Sequence, residues 1–217
     1  LGTGGFMAVG AFATYKIMTF FPELNIMIIV LLSGVITAFV GILFGLPSLR
    51  IKGFYLAVAT LASQFFIIWL FNKVPWFYNY SDTGQITVSE RTMFGVAVTG
   101  ANAPPYATYL FCLILVVVLG FAAKNMIRSK IGRSWMAIRD MDIAAEIIGV
   151  PPLKTKLSAF AISSFYIGIA GSLYFAVYLG ALEVTESFDI MAISFPVLFM
   201  IITVSYTHLT LPTKSRG

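Results

Sequence analysis

The stretch IMIIVLLSGVITAFVGILFGL, residues 26–46, contains no charged residue and is followed at once by Pro47. A helix of this length crosses a bilayer, because the hydrocarbon core is about 30 Å thick and a helix rises about 1.5 Å per residue. Backbone polar groups find no water in lipid, so such a run must form a helix or a barrel strand. Barrel strands alternate polar and apolar residues over about ten positions, and this stretch does not. We therefore predict a transmembrane helix.

The apolar character extends over the whole chain of 217 residues. Hydrophobic residues make up 59% and charged residues 11% of the chain, whereas soluble domains are about 45–50% apolar and about 25% charged. This composition excludes an ordinary cytosolic enzyme, a disordered chain and a nucleic-acid-binding protein with a basic patch. The single cysteine, Cys112, excludes a disulfide framework and a cysteine-based zinc site. We expect neither a metal nor a cofactor.

Similar runs predict an all-α fold, a polytopic transmembrane helix bundle with five complete spans and a truncated sixth. The predicted spans are residues 4–21, 26–46, 53–71, 106–123 and 157–180, with a sixth from 190 that fades near 203. We expect residues 1–203 to be one transmembrane domain, a fragment whose native flanks are missing. The polar residues 204–217 resemble no span, and we expect them to be a non-native tail.

Lysine and arginine predict the orientation of these spans. The stretch 124–156 carries seven basic and three acidic residues, and the short connection 47–52 carries two basic residues and no acid. The charged residues of the connections 22–25 and 181–189 are all acidic. Alternate connections therefore differ in basic content, as the positive-inside bias requires. We expect 47–52 and 124–156 to face the cytoplasm.

Polar residues inside the predicted spans are few. Thr60, Ser63 and Gln64 are the candidates for a solute pathway in the third span. Lys16 is the one ionisable residue well inside a span, close enough to the outer end to extend its ammonium to the interface. A pump driven by ions or protons would need buried acids or histidines near mid-membrane. The energy source is therefore expected to lie outside this chain.

The fifth span repeats a small residue at every fourth position. The repeat consists of Ser164, Gly168, Ser172, Ala176 and Gly180. Small side chains at this spacing form a flat stripe that lets a neighbouring helix approach closely. Helix packing is one interpretation of the stripe, and the surface of a moving pathway or a subunit interface is the other.

Motifs of nucleotide hydrolysis, zinc peptidases and serine hydrolases are absent from the sequence. We therefore expect no enzymatic activity in this chain.

The segment 131–152 predicts a helix outside the membrane. Ser134 is its expected N-cap, and Gly149 followed by two prolines is a strong stop signal. Arg139, Asp142 and Glu146 fall on one polar stripe, where Arg139 and Asp142 have the spacing of a salt bridge. The other positions are mostly apolar, so another surface must cover them. The covering surface is either the membrane or the protein's own spans, or it is a soluble partner, and these grounds favour neither interpretation.

Three motifs resemble the permease subunits of ABC importers for branched-chain amino acids, the LivM-like family. They are GFMAVGAF at 5–12, LRIKGFYLAVATLA at 49–62, and the segment from Gly132-Arg133 through Ile143-Ala144-Ala145-Glu146 to Gly149. The resemblance implies that 134–149 is a coupling helix that docks on an ATP-binding subunit. Its expected coupling residues are Arg139, Asp142, Ala144, Ala145, Glu146 and Gly149.

The resemblance also implies three kinds of partner in the inner membrane and outside it. These are ATP-binding subunits, a second permease subunit and an external solute-binding protein, with the lipid bilayer around the spans and no nucleic acid. The expected activity is translocation of branched-chain amino acids. Permeases for urea or short amides look very similar, and an unrelated secondary transporter, a channel or a membrane scaffold are further alternatives.

Overall fold

The computed structural model describes residues 2–49, 54–81, 83–93, 95–100 and 103–209, with the backbone alone at 54–57 and 205–209. Its helices are α1 (Thr3–Phe20), α2 (Ile26–Ser48), α3 (Phe54–Lys73), α4 (Pro105–Arg128), α5 (Lys130–Asp140), α6 (Asp142–Ile147), α7 (Pro152–Leu173), α8 (Val184–Ser187) and α9 (Phe195–Leu209). The basic pair Arg50 and Lys52, and residues 210–217 of the predicted tail, lie outside the described residues.

Four helical stretches of the described chain are long and apolar enough to cross a membrane. They are Ile26–Ser48, Pro105–Arg128, Pro152–Leu179 and Val184–Val204. The chain is therefore a mostly helical, polytopic membrane protein, and the count of five spans plus a sixth stays a prediction. Two boundaries differ from expectation, because α2 continues through Pro47 and the last span starts at Val184 with the short helix α8.

Helix α1 lies at the centre of the bundle. Thirteen of its 18 residues are buried, and it packs against α2, α3 and α7. A helix enclosed by protein needs no continuous apolar surface toward lipid, so it tolerates the glycines and Thr14 that lower its hydropathy. This explains why α1 contains the glycine-rich stretch of the chain.

Helices α1 and α7 approach each other through glycine. A Cβ on Gly10 would lie 2.2 Å from the carbonyl oxygen of Gly168, and a Cβ on Gly171 would lie 2.1 Å from the carbonyl oxygen of Met7. One turn further along α1, the hydroxyls of Thr14 and Ser172 are 2.5 Å apart. Backbone atoms therefore meet backbone atoms at this crossing, which a side chain at either glycine would prevent.

The polar stretch between α3 and α4 contains strands that the all-α prediction omitted. Strands β2 (Arg91–Met93) and β3 (Val96–Thr99) form an antiparallel hairpin, and β1 (Ile86–Thr87) pairs with β4 (Ala181–Leu182) next to α8. The guanidinium of Arg91 donates hydrogen bonds to the carbonyls of Met18, at 2.7 Å, and Pro22. A cation that binds the last carbonyls of a helix satisfies groups without a helical partner, so this hairpin closes the end of α1.

We predict that Gly10→Ala lowers the thermal midpoint of the detergent-solubilised protein. The added Cβ must separate α1 from α7, and overpacking of this kind costs about 1–3 kcal/mol. The matched control is Gly120→Ala in α4, where a Cβ would meet nothing within 4 Å. Equal midpoints for the two variants in a fluorescence-detected thermal melt would contradict the close approach.

Candidate pathway and coupling segment

Gln64 lies at the middle of α3 and is fully buried. The hydroxyl of Ser194 donates a hydrogen bond of 2.7 Å to its side-chain oxygen, and its amide nitrogen lies 3.4 Å from the carbonyl oxygen of Phe188. The same Ser194 hydroxyl accepts a hydrogen bond of 2.9 Å from the backbone N–H of Gly4. Gln64 therefore joins α3 to the start of α1 and to the break in the last span.

The last span is irregular where it contacts Gln64. Helix α8 ends at Ser187, and a π-helical segment, Ile190–Ser194, follows before α9 begins. A π-helical turn leaves the regular hydrogen-bond pattern and is frequent at functional sites. A second π-helical segment, Tyr174–Leu179, ends the α7 span.

The other two pathway candidates lie in different surroundings. Thr60 lines a small cavity of about 170 Å³ that also contacts Thr3, Ser163 and Ser164. Ser63 is half-buried, and its hydroxyl donates to the carbonyl of Ala59, one turn back on its own helix. The structure thus places Thr60 at a polar cavity and Gln64 in a polar network, while Ser63 satisfies its own helix.

The small residues of the fifth span fall into two groups. Ser164, Gly168, Ser172 and Ala176 face the bundle interior: Ser164 and Ser172 are buried, and Gly168 meets Gly10 and Thr37. Gly180 instead follows the helical segment with φ +70°, a conformation that favours glycine. The spacing of four missed Gly171, which stands three residues after Gly168 and also contacts α1.

The predicted single helix over 134–149 is wrong in its continuity. It is two helices, α5 and α6, separated at Met141, whose backbone is extended with φ −151° and ψ 96°. Helix α5 begins earlier than expected, because Ser129 is its N-cap and accepts a hydrogen bond from the N–H of Gly132. Ser134 lies inside the helix, where its hydroxyl donates to the carbonyl of Lys130 at 3.1 Å.

The expected Arg139–Asp142 salt bridge is also replaced. The Nε of Arg139 lies 2.9 Å from a carboxylate oxygen of Asp140, and Asp142 lies 3.7 Å from the Nζ of Lys156 at the start of α7. The break at Met141 removes the helical spacing between Arg139 and Asp142. Asp142 then begins α6, where its negative charge is favourable beside the free N–H groups.

Helix α6 ends where the stop signal predicted. The N–H of Gly149 bonds the carbonyl of Glu146, the N–H of Val150 bonds that of Ala145, and Gly149 has φ +89°. These two bonds form a Schellman motif, in which glycine takes the left-handed position at no steric cost. Helix α7 starts directly afterwards at Pro152, so the turn between the two helices is short and fixed.

Most of the expected coupling residues are exposed. Arg139, Ala144, Glu146 and Gly149 are exposed, Asp142 is half-buried, and Ala145 is buried. Four large apolar side chains beside them are also exposed, by 71–81%. They are Met141, Ile143, Ile147 and Ile148. The described spans therefore do not cover the apolar face that the sequence required to be covered.

Helix α5 is attached to α7 on its other side. The indole N–H of Trp135 donates a 2.9 Å hydrogen bond to the hydroxyl of Ser158, and Ile138 is buried nearby. The sequence analysis did not assign this contact. An indole N–H is a donor that needs an acceptor when it is removed from water, so an isolated tryptophan on an apolar helix face was the available signal.

We predict that Gln64→Leu lowers the free energy of unfolding of the detergent-solubilised protein by about 1–3 kcal/mol. Its thermal midpoint falls accordingly. The change leaves the Ser194 hydroxyl without its acceptor, and a buried polar group without a partner costs about that much. The control is Ser63→Ala, which removes only a bond within α3. A Gln64→Leu midpoint equal to that of Ser63→Ala would argue against the network.

Known proteins give a consistent comparison. A family model described as branched-chain amino acid transport system, permease component, matches residues 1–207. The high-affinity branched-chain amino acid transport system permease protein LivM of Salmonella typhimurium is 32% identical over 196 residues, covering 81% of this chain and 45% of that protein. The LivM protein of Escherichia coli is 31% identical over the same length and coverage.

A third relative is more distant. The probable ABC transporter permease protein y4mJ of Sinorhizobium fredii is 30% identical over 149 residues, covering 65% of this chain and 41% of that protein. No solved structure matches the chain. The chain spans about half the length of the curated relatives that it matches, 45% for both LivM proteins.

The family match covers nearly the whole chain, and the apolar helices fit a multi-pass protein of the inner (plasma) membrane. The family consists of transporter components, which agrees with the lack of catalytic motifs in the sequence. This chain belongs to the family of permease components of branched-chain amino-acid transport systems.

Proposed function

We propose that this chain is part of the permease subunit of an ATP-binding-cassette importer that moves branched-chain amino acids across the inner membrane. It works with ATP-binding subunits, a second permease subunit and an external solute-binding protein. The observation that carries the proposal is the exposed apolar face of Met141, Ile143, Ile147 and Ile148. The named activity of the LivM relatives supports the substrate class.

The exposed face fits a protein partner better than the membrane surface. The charged residues of α6 are Asp142 and Glu146, and it has no basic residue. Helices that lie on membranes carry Lys and Arg on the polar face, because the lipid surface is negatively charged. Helix α6 itself lacks the basic residues that hold a helix on that surface, so its bare apolar face fits an apolar groove on a soluble subunit better.

The connections of α5 and α6 suit them to transmit a movement. The Schellman turn at Gly149 and the start of α7 at Pro152 keep α6 close to the first turn of α7. The Trp135–Ser158 hydrogen bond attaches α5 to the same helix. Because α7 meets α1 through backbone contacts, we propose that displacement of α6 by ATP binding reaches the centre of the bundle. Such a switch requires a partner that binds the two conformations with different affinity.

The pathway is proposed to pass near Thr60 and Gln64. Thr60 borders the polar cavity between α1, α3 and α7, and Gln64 lies about one turn further along α3. Both side chains are polar and uncharged, which suits passage of a solute without holding it tightly. Ser63 is the third candidate, half-buried on the same helix, and its hydroxyl bonds the carbonyl of Ala59.

We predict that Glu146→Lys abolishes ATP-dependent leucine uptake while ATP hydrolysis by the partner subunits continues. Reversing an exposed charge on α6 disturbs docking without changing the buried contacts of the spans. The measurement is radiolabelled leucine uptake and phosphate release in proteoliposomes that contain the complete transporter.

The control for this experiment is Glu23→Lys, the same charge change at an exposed position in the connection between α1 and α2. We expect this variant to keep uptake coupled to hydrolysis. Normal uptake by Glu146→Lys would remove α6 as the coupling element. Uptake of urea in place of leucine by the unaltered transporter, or uptake without nucleotide, would overturn the proposed activity itself.

A further inference from the structure

A groove of about 460 Å³ lies between α1, α2 and α3. Its floor is formed by buried side chains of α1, including Phe12 and Ile17. Its walls include Leu43 of α2 and Phe66 of α3, which are 61% and 48% exposed. The wall residues are apolar and one wall is the membrane-spanning helix α2, so the open side of the groove is suited to contact with lipid.

A positively charged side chain, Lys16, lies at one end of the groove. Lys16 lines the groove and is only 8% exposed, so protein atoms surround most of its side chain. The ammonium donates a hydrogen bond to the side-chain oxygen of Asn79 and lies 4.2 Å from the ring centroid of Trp76. The groove is therefore apolar along its length and positively charged at the α1 C-terminal end.

Lys16 forms no ion pair with an acidic residue in the part of the chain that the structure describes. An ammonium has three N–H donors. Among the described residues, the side-chain oxygen of Asn79 accepts one of the three from Lys16. A cation largely removed from water is costly unless an anion or further acceptors bind it. The aromatic face of Trp76 supplies only part of that stabilisation.

The length of the groove fits one leaflet of a bilayer. Its lining on α1 runs from Phe20 to Val9, a distance of about 16 Å at about 1.5 Å per residue. This is about half of the hydrocarbon thickness of about 30 Å. Lys16 and Trp76 lie toward the end where α1 leaves the membrane, which is the depth of lipid head groups.

We propose that this groove binds an anionic phospholipid of the leaflet around the C-terminal end of α1. One acyl chain lies along the apolar groove between α2 and α3, and the phosphate binds the ammonium of Lys16 beside Trp76. The site is separate from the proposed coupling segment and from Thr60 and Gln64, so it stands independently of the proposed function.

The test compares Lys16→Met with Lys73→Met in the full-length protein. Both changes replace a lysine by an apolar residue of similar length, and Lys73 is an exposed residue at the end of α3 that does not line the groove. Each protein is reconstituted in nanodiscs of mixed phosphatidylglycerol and phosphatidylcholine. Native mass spectrometry after release then measures the phospholipid that stays bound.

We expect Lys16→Met to retain about fivefold less phosphatidylglycerol than the unaltered protein, the effect of about one basic residue near a lipid head group. Lys73→Met and the charge-retaining Lys16→Arg should retain it. Equal retention by Lys16→Met and Lys73→Met would overturn the proposal, since it would leave only non-specific lipid around the protein.

A second measurement does not depend on the folding of a Lys16 variant. With the other tryptophans replaced by Phe, Trp76 reports the groove through quenching by lipids brominated on the acyl chain. Stronger quenching by brominated phosphatidylglycerol than by brominated phosphatidylcholine, at equal bromine content, supports the site. Equal quenching, or none because a protein segment or a second permease subunit fills the groove, overturns it.

Discussion

The contact between α1 and α7 is the constraint on which the bundle depends. Gly10 faces Gly168 and Gly171 faces Met7 at distances where no Cβ fits. Lipid provides no hydrophobic driving force for helix association, so close backbone packing must supply it. This contact fixes the central helix, and the central helix in turn carries the floor of the groove between α1, α2 and α3 and one partner of the Gln64 network.

The contact between α1 and α7 also connects the segment α5–α6 to the centre of the bundle. Helix α7 begins at the turn after α6, receives the Trp135 hydrogen bond near its start, and meets α1 at Gly168 and Gly171 in its last two turns. A helix packed through backbone atoms moves as a rigid body more readily than it bends, because a small shift at one end cannot be absorbed by side-chain rotation at the contact. Under the proposed coupling role, this contact is the route by which a displacement at α6 reaches the bundle.

The sequence predicted the features that depend on local patterns. The uncharged run 26–46 lies inside α2, and Gly149 ends α6 through a motif made of neighbouring residues. The break at Met141 was missed because the composition on both sides of it favours a helix and no proline or glycine marks it. Gln64 was recognisable as a polar residue in a span, but its partner Ser194 is 130 positions away. Such a contact follows from packing and cannot be inferred from spacing.

The polar residues inside the described bundle are mostly uncharged and bonded within it. Among the side chains that the structure describes, the buried polar ones are hydroxyls, one amide and Lys16. The hydroxyls of Thr14, Ser33 and Thr37 donate to carbonyls of their own helices. Their donors are therefore satisfied without water. A proton or ion relay would need groups that change charge near the centre of the membrane. In the described bundle, Lys16 is the buried side chain of that kind, and its place toward the end of α1 suits a head group better than a relay.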